Sequence, residues 1–102
     1  MSLTSKQRAY LKSLAMNISP VQYFGKASLT DENIRNADEA LAARELIKIG
    51  VLKNCADDPR EIAEAVAERT GAEVVQVIGK KIVLYRQGEE DKRRITLPPA
   101  KR

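Results

Sequence analysis

The stretch Pro20–Thr30, PVQYFGKASLT, joins a short apolar segment to a helix start and predicts a strand–loop–helix unit. Val21 to Phe24 has the composition of a strand, and Gly25-Lys26-Ala27-Ser28 is a loop of small residues around one lysine. Thr30 suits the N-cap position, since its hydroxyl can accept a hydrogen bond from a free backbone N–H of the first turn. Such a loop can hold a phosphate. Taken by itself, the loop favours the alternative, an ordinary turn with a solvated lysine.

Composition excludes several function classes. The chain has 102 residues, which fits one domain with a modest core. It has no histidine and a single cysteine, Cys55, so Cys/His zinc sites and the usual general base are missing. No acidic pair stands out as a catalytic constellation. We therefore expect no enzymatic activity, no cofactor, no metal and no small-molecule substrate.

The same composition bears on location. One cysteine rules out a disulfide framework within the chain and is typical of the reducing cytoplasm. No run approaches the roughly 20 apolar residues that span a bilayer, so we expect no membrane partner. The predicted location is cytoplasmic.

Charge is unevenly distributed along the chain, although the net charge is only +4. Residues 1–30 carry four basic and no acidic residues, residues 31–72 carry six basic and ten acidic, and residues 73–102 carry eight basic and four acidic. Such separation predicts one face that attracts a polyanion. Chance clustering with a solvated tail is the alternative.

Two helices are predicted in the first half of the chain. Thr4-Ser5-Lys6-Gln7 matches a capping box and predicts a helix start. Apolar residues at helical spacing follow it: Leu11, Leu14, Ala15 and Ile18. Pro20 ends this helix, because the residue before a proline is pushed out of helical geometry. A second helix is predicted from Asp31 to about Ala43, behind the Thr30 cap.

A strand and a third helix follow. Glu45–Leu52, ELIKIGVL, is rich in β-branched residues and predicts a strand. Gly50 within it marks a bulge or the close approach of another element. Asp58 as N-cap and Pro59 at the first helical position predict the third helix. Gly71 ends that helix as a left-handed cap.

The last two strands are predicted at Glu73–Ile78 and Lys81–Arg86. Gly79-Lys80 between them suits a type II′ turn, so these strands pair antiparallel. The order is αβαβαββ, and we expect the two β–α–β units to form parallel pairs and the hairpin to make the sheet mixed. The predicted fold class is α/β, a single compact domain with a four-stranded mixed sheet. The second and third helices should cover one face and the first helix the other.

Several motifs in this order resemble the bacterial YhbY-type proteins, which are stand-alone examples of the CRM domain. The resemblance rests on LTSKQRAYLKSLA (3–15), PVQYFGKASLT (20–30), RELIK (44–48), TGAEVVQVIGKKIVLYR (70–86) and a basic tail. It implies a fold similar to the C-terminal domain of translation initiation factor three. It also implies RNA binding and a role in assembly of the large ribosomal subunit, with rRNA of its precursor as the partner.

The family's signature is a KH-like GxxG loop that contacts nucleic-acid backbone. Here it corresponds to Gly25, Lys26, Ala27 and Ser28, so serine replaces the second glycine. Further basic residues are predicted to extend the RNA-binding surface: Arg8, Lys12, Lys48 and Arg86, with Lys80, Lys81 and Lys92-Arg93-Arg94 as secondary contacts. We assign Phe24 to the core and treat Tyr23 as a candidate for stacking on a base.

The resemblance gives residues 1–97 as a CRM domain and residues 98–102 as a short basic C-terminal tail. We expect a monomer. The alternative function is a non-catalytic interaction module whose basic face recognises an acidic protein partner. With few aromatic residues, recognition of RNA should depend on its backbone and shape more than on stacked bases.

Overall fold

Helices and strands alternate in the predicted order in the computed structural model, which describes residues 3–27, 29–89, 91, 93 and 95–98. Their bounds are α1 (Ser5–Ala15), β1 (Gln22–Phe24), α2 (Asp31–Arg44), β2 (Leu46–Val51), α3 (Pro59–Thr70), β3 (Glu73–Ile78) and β4 (Lys81–Tyr85). The αβαβαββ order and the α/β class are therefore confirmed.

The helices begin at the predicted caps. Thr4 and Gln7 form the capping box, with 3.1 Å from each backbone nitrogen to the other residue's side-chain oxygen. The Thr30 hydroxyl accepts from the Asn33 backbone N–H at 3.1 Å, and Asp58 caps α3 ahead of Pro59. These bonds satisfy N–H groups that the first turn of a helix leaves unpaired.

The four strands form one mixed sheet in the order β1-β2-β4-β3. β1 and β2 pair parallel, as predicted for the first β–α–β unit. The prediction of a second parallel pair is wrong. β4 lies between β2 and β3 and is antiparallel to both, because the tight turn after β3 folds β4 back into the sheet. β3 carries a bulge between Val74 and Gln76.

Two apolar clusters lie on opposite faces of the sheet, as predicted. The larger one packs α2 and α3 against the sheet and includes Phe24, Ile34, Leu41, Ile47, Ile49, Ile62, Val66, Ile82 and Leu84. The smaller one packs α1 against the other face: Leu11, Ala15, Leu46, Val75, Val83 and Tyr85. Alternation along β2 and β4 explains the division, because successive side chains of a strand point to opposite faces.

Several predicted boundaries are corrected. Val21, Leu52 and Arg86 were predicted within strands and lie just outside β1, β2 and β4. Ile18 lies beyond the end of α1 instead of continuing its helical stripe, although it still packs against the cluster under α1. Glu45 does not begin β2. It ends α2 with a φ of 67°, in the left-handed region where a side chain is disfavoured, and its backbone N–H donates to the carbonyl of Leu41.

The carboxylate of Glu45 explains this geometry. The side chain is buried, and its two oxygens accept hydrogen bonds from the backbone N–H groups of Gly88 at 2.6 Å and Ile95 at 2.8 Å. Ile95 and Leu97 pack against the cluster under α1, and the carbonyl of Pro98 accepts from the Gln7 side chain at 2.9 Å. The segment after β4 is thus held to the body. Residues 99–102 of the predicted tail lie outside the described residues.

Candidate nucleic-acid interface

The loop that follows β1 is braced by side chains from its surroundings. The Asn33 side chain in the first turn of α2 donates to the carbonyl of Ala27 at 2.9 Å. Gly25 sits beside Asn54, since a Cβ added to Gly25 would lie 3.3 Å from the Asn54 side-chain oxygen. Lys26 and Ala27 are exposed. Ser28, the fourth predicted loop contact, lies outside the described residues.

This loop shares one end of the sheet with the β3–β4 turn. The N–H of Leu52 donates to the carbonyl of Phe24, and the N–H of Val51 donates to the carbonyl of Lys80, both at 2.8 Å. Lys26 and Lys80 therefore project from neighbouring loops at this end, which we call the loop end. Basic residues from distant parts of the sequence are brought together there.

Two of the predicted basic residues meet in a groove between α1 and the sheet. Lys12 from α1 and Lys48 from β2 line it together with Lys81, the first residue of β4. The groove reaches the loop end, because Lys81 lines it and directly follows the turn that carries Lys80. The structure thus brings Lys12 and Lys48 together and adds Lys81, which was predicted only as a secondary contact.

The two predicted arginines are placed differently. Arg8 donates from its guanidinium to the backbone carbonyls of Val74 and Val75 at the bulge of β3. Arg86 donates to the Asp38 carboxylate at 2.6 Å and to the carbonyl of Thr70 at 2.7 Å, so it lies against α2 and α3, away from the groove. Both guanidinium groups have acceptors within the protein. Their contact with RNA stays a prediction.

The two neighbouring aromatic residues of β1 separate as predicted. Phe24 is fully buried in the larger cluster, whereas Tyr23 is 55% exposed on the opposite face. Gly50 is the residue of β2 paired with Tyr23. A Cβ on Gly50 would lie only 2.5 Å from both Cδ2 and Cε2 of the ring, so the predicted close approach at Gly50 is the Tyr23 side chain.

Negative charge is also present near the loop. Asp31 and Glu32 occupy the first turn of α2, and the Asp31 carboxylate lies 3.2 Å from the guanidinium of Arg69. This pair is well exposed, so solvent screens it strongly. An anion bound at the loop would therefore depend on Lys26 to offset the two carboxylates.

The pKa of the Tyr85 phenol is shifted, and this residue lies at the end of β4 opposite the loop end. Burial raises the pKa of the Tyr85 phenol above its ordinary value, and the negative charge of Glu45 raises it further, while Arg93 acts in the opposite direction. Tyr85 packs under α1 in the smaller cluster, so this shift concerns stability.

Among the described residues, no group of three His, Cys, Asp or Glu side chains could hold a metal ion. None of the helices described there has the length and apolar character to cross a membrane.

Residues missed by the sequence reasoning complete the interface. Asn33 braces the loop, and Met16, Gln76 and Ile78 line the groove beside the lysines. Met16 and Ile78 are 80% and 59% exposed. Exposed apolar residues at a helix end and a strand end carry no local signal of a shared site. Only the packing of α1 on the sheet brings them together.

The same chain matches the family model of the CRS1/YhbY (CRM) domain over residues 3–86. It belongs to the CRM domain family. The match covers α1 to β4, including the loop between β1 and α2 and every lysine that lines the groove.

Individual relatives agree with this assignment. The chain is 44% identical over 96 residues to "Probable RNA-binding protein YqeI" of Bacillus subtilis, covering 94% of this chain and 99% of that protein. It is 38% identical over 97 residues to an "RNA-binding protein" of Haemophilus influenzae, covering 95% and 96% of the two chains. The solution structure of the hypothetical protein SAV1595 from Staphylococcus aureus superposes with a TM-score of 0.79 at 47% identity, over 95% of this chain and all of that chain.

Proposed function

We propose that this CRM domain protein is a non-catalytic RNA-binding protein that acts in assembly of the large ribosomal subunit by binding rRNA of its precursor. The observation that carries the proposal is the loop end, where the braced loop, the β3–β4 turn and the groove bring lysines together. The two relatives named as RNA-binding proteins, each matched over nearly its whole length, support RNA as the partner.

Each predicted contact has a role in this proposal. Lys26 contacts a phosphate beside the backbone N–H groups of Gly25 and Ala27, and Ser28 completes the loop. Lys12 and Lys48 contact the RNA backbone from the groove. Arg8 and Arg86 rank after the lysines, because RNA would have to compete with the acceptors that they already bind.

The rest of the proposal concerns the kind of protein. No enzymatic step, cofactor or small-molecule substrate is proposed, and the protein works as a monomer in the cytoplasm. Residues 1–97 act as the CRM domain, and residues 98–102 are a short basic tail. Phosphate contacts through lysines provide affinity for RNA without sequence information, so the RNA is selected by its shape.

The salt dependence of binding tests the phosphate contacts. Wild-type protein and Lys26→Ala are titrated with a labelled fragment of large-subunit rRNA at several salt concentrations. We expect Lys26→Ala to reduce the slope of log K against log salt by about 0.7–0.9 for the phosphate contact removed. Lys6→Ala is the matched control, because Lys6 is exposed on α1 outside the groove. Failure of the wild type to bind this RNA at low salt would refute the proposal.

Sedimentation tests the role in assembly. Cell extract is separated on a density gradient, and fractions are blotted for the protein and probed for rRNA precursors. We expect the protein to migrate with precursors of the large subunit. Migration only at the top of the gradient, under low-salt conditions that preserve RNA binding in vitro, would contradict the assembly role and leave RNA binding intact.

A further inference from the structure

One residue from each strand forms a row across the sheet at the loop end. Tyr23 pairs with Gly50, Gly50 with Lys81, and Lys81 with Ile78. Paired residues of neighbouring strands point to the same face of a sheet, and Lys81 shares its face with Val83, which packs under α1. Three strand spacings make this row, which we call the outer row, about 14 Å long.

The outer row is not covered by α1. Tyr23 is 55% exposed, Ile78 is 59% exposed, and Lys81 is also exposed. Met16, just after the last residue of α1, extends the same surface and is 80% exposed. Large apolar side chains that lie exposed next to one another mark interaction sites more often than isolated ones do.

Gly50 determines where the Tyr23 ring lies. The Cδ2–Cε2 edge of the ring occupies the space above Gly50 that any other residue would fill with its Cβ. The ring is therefore seated on the sheet, in line with Lys81 and Ile78. A tyrosine held in this way loses less conformational entropy on binding than one on a mobile loop.

The charge next to the outer row is positive. Lys12 and Lys48 line the groove beside it together with Lys81. The other described residues that line this groove are uncharged: Ala15, Met16, Gln76, Ile78 and Val83. An aromatic ring and apolar side chains beside several lysines complement a ligand that has both flat bases and phosphates.

We propose that the outer row binds a single-stranded segment of the RNA, with one unpaired base stacked on Tyr23 and the neighbouring phosphates bound by Lys48, Lys81 and Lys12. This inference rests on the proposed RNA-binding function and adds the kind of RNA bound at this face. It qualifies the expectation from composition that stacking contributes little, because the single exposed ring of β1 lies beside the lysines.

The geometry favours a single strand over other occupants. Bases of a duplex are stacked inside it and present only their edges, so a duplex could use the lysines but not the ring. Four-stranded sheets of RRM domains bind unpaired RNA on exposed aromatic residues in a similar way, with two or three bases stacked. Here the outer row offers one aromatic ring, which fits one base. An acidic polypeptide would pair with the lysines without needing the ring.

Fluorescence anisotropy with two probes tests this inference. The probes are a labelled oligouridylate of about 12 nucleotides and a labelled blunt RNA duplex of about 16 base pairs. We expect Tyr23→Ala to weaken binding of the oligouridylate by about 5- to 150-fold and to leave the duplex nearly unchanged. Tyr23→Phe keeps the ring and should bind both probes like the wild type. Tyr10→Ala is the matched control, because Tyr10 is an exposed tyrosine of α1 outside the groove.

The outcomes separate this inference from the proposed function. Unchanged oligouridylate binding by Tyr23→Ala, or an equal loss for both probes, overturns the inference while RNA binding stands. A wild type that binds neither probe nor structured rRNA at low salt overturns both. Poly-glutamate that binds the wild type as tightly as the oligouridylate does, and binds Tyr23→Ala equally well, would assign the lysines of this surface to an acidic polypeptide and also overturn the inference.

A second measurement does not depend on the folding of a variant. Wild-type protein is crosslinked to an oligouridylate that carries 4-thiouridine, and the modified peptides are mapped. An adduct on Tyr23 or on the β4 residues beside it supports the inference. Adducts confined to the loop at residues 25–29 or to the C-terminal tail would contradict it.

Discussion

Replacing Gly50 by alanine should destabilise the protein because of one side chain, Tyr23. The added Cβ would lie 2.5 Å from Cδ2 and Cε2 of the ring, whereas carbon atoms in contact are about 3.5–4.0 Å apart. The ring must therefore move by about 1 Å or more. The backbone does not require glycine here, because the positive φ angles found for glycine in the described chain are those of Gly71 and Gly79.

The magnitude follows from how easily the ring can move. Overpacking a buried site typically destabilises by about 1–3 kcal/mol. Since Tyr23 is more than half exposed, its ring can swing toward solvent, and we expect Gly50→Ala to lower the free energy of unfolding by about 1–2 kcal/mol. With Tyr23 already replaced by alanine, the clash is gone. Gly50→Ala should then stabilise by about 0.5–1 kcal/mol, because glycine within a strand is less favourable than alanine.

Urea denaturation of the wild type, both single variants and the double variant gives the coupling energy of this cycle. We expect about 1.5–3 kcal/mol between the two sites, with unchanged m-values. The same cycle with Tyr10→Ala serves as the control and should show additivity, because the three atoms nearest to the added Cβ all belong to Tyr23. If Gly50→Ala lowers the free energy of unfolding by the same amount with and without the Tyr23 ring, the explanation that Gly50 is needed to make room for this ring would be refuted.

Three further predictions concern stability and the loop. The pKa of the Tyr85 phenol is higher in the folded state than its ordinary value of about 10. The stability that the neutral phenol contributes is therefore complete below about pH 10 and is lost as the pH rises through the folded-state pKa. Wild type should therefore lose stability relative to Tyr85→Phe above pH 10 in pH-dependent denaturation, and equal losses would contradict this. Glu45→Ala should lower the free energy of unfolding by about 2–3 kcal/mol, because the backbone N–H groups of Gly88 and Ile95 lose their acceptor. It should also speed proteolysis of residues 87–98, and a variant as resistant to protease as the wild type would contradict this prediction. Asn33→Ala should lower the free energy of unfolding by about 0.5–1.5 kcal/mol and weaken RNA binding through the loop, because the carbonyl of Ala27 loses its side-chain donor. Asn54→Ala tests the contact on the other side of the loop, at Gly25. Retention of wild-type affinity by Asn33→Ala would show that the brace is not needed.

Local sequence signals predicted the elements of the fold well. The capping box at Thr4, the caps at Thr30 and Asp58, and the glycines at positions 71 and 79 all lie where the structure has helix starts, a helix end and a turn. Each of these signals acts between residues within about four positions of one another. The side chain and the backbone group that it satisfies are therefore visible in one short window of sequence.

The errors arose where a distant segment decides the local structure. Glu45 has no glycine-like signal for a left-handed conformation, and its carboxylate is explained only by the N–H groups of Gly88 and Ile95. β4 separates β2 from β3, which the β–α–β pattern by itself did not indicate. For the candidate site, the sequence predicted which loop and which lysines belong to it. It did not predict that Arg8 and Arg86 donate to acceptors within the protein.

The sequence by itself determined the class, the order of elements, the membership in the CRM family and the positions of the candidate loop and lysines. Only the tertiary structure decided which of them lie together. Strand register places Tyr23, Gly50, Lys81 and Ile78 in one row, although they are separated by up to 58 positions in the chain. The physical reason is that hydrophobic periodicity and caps are local, whereas the neighbours of a residue on a sheet are set by long-range hydrogen bonding between strands.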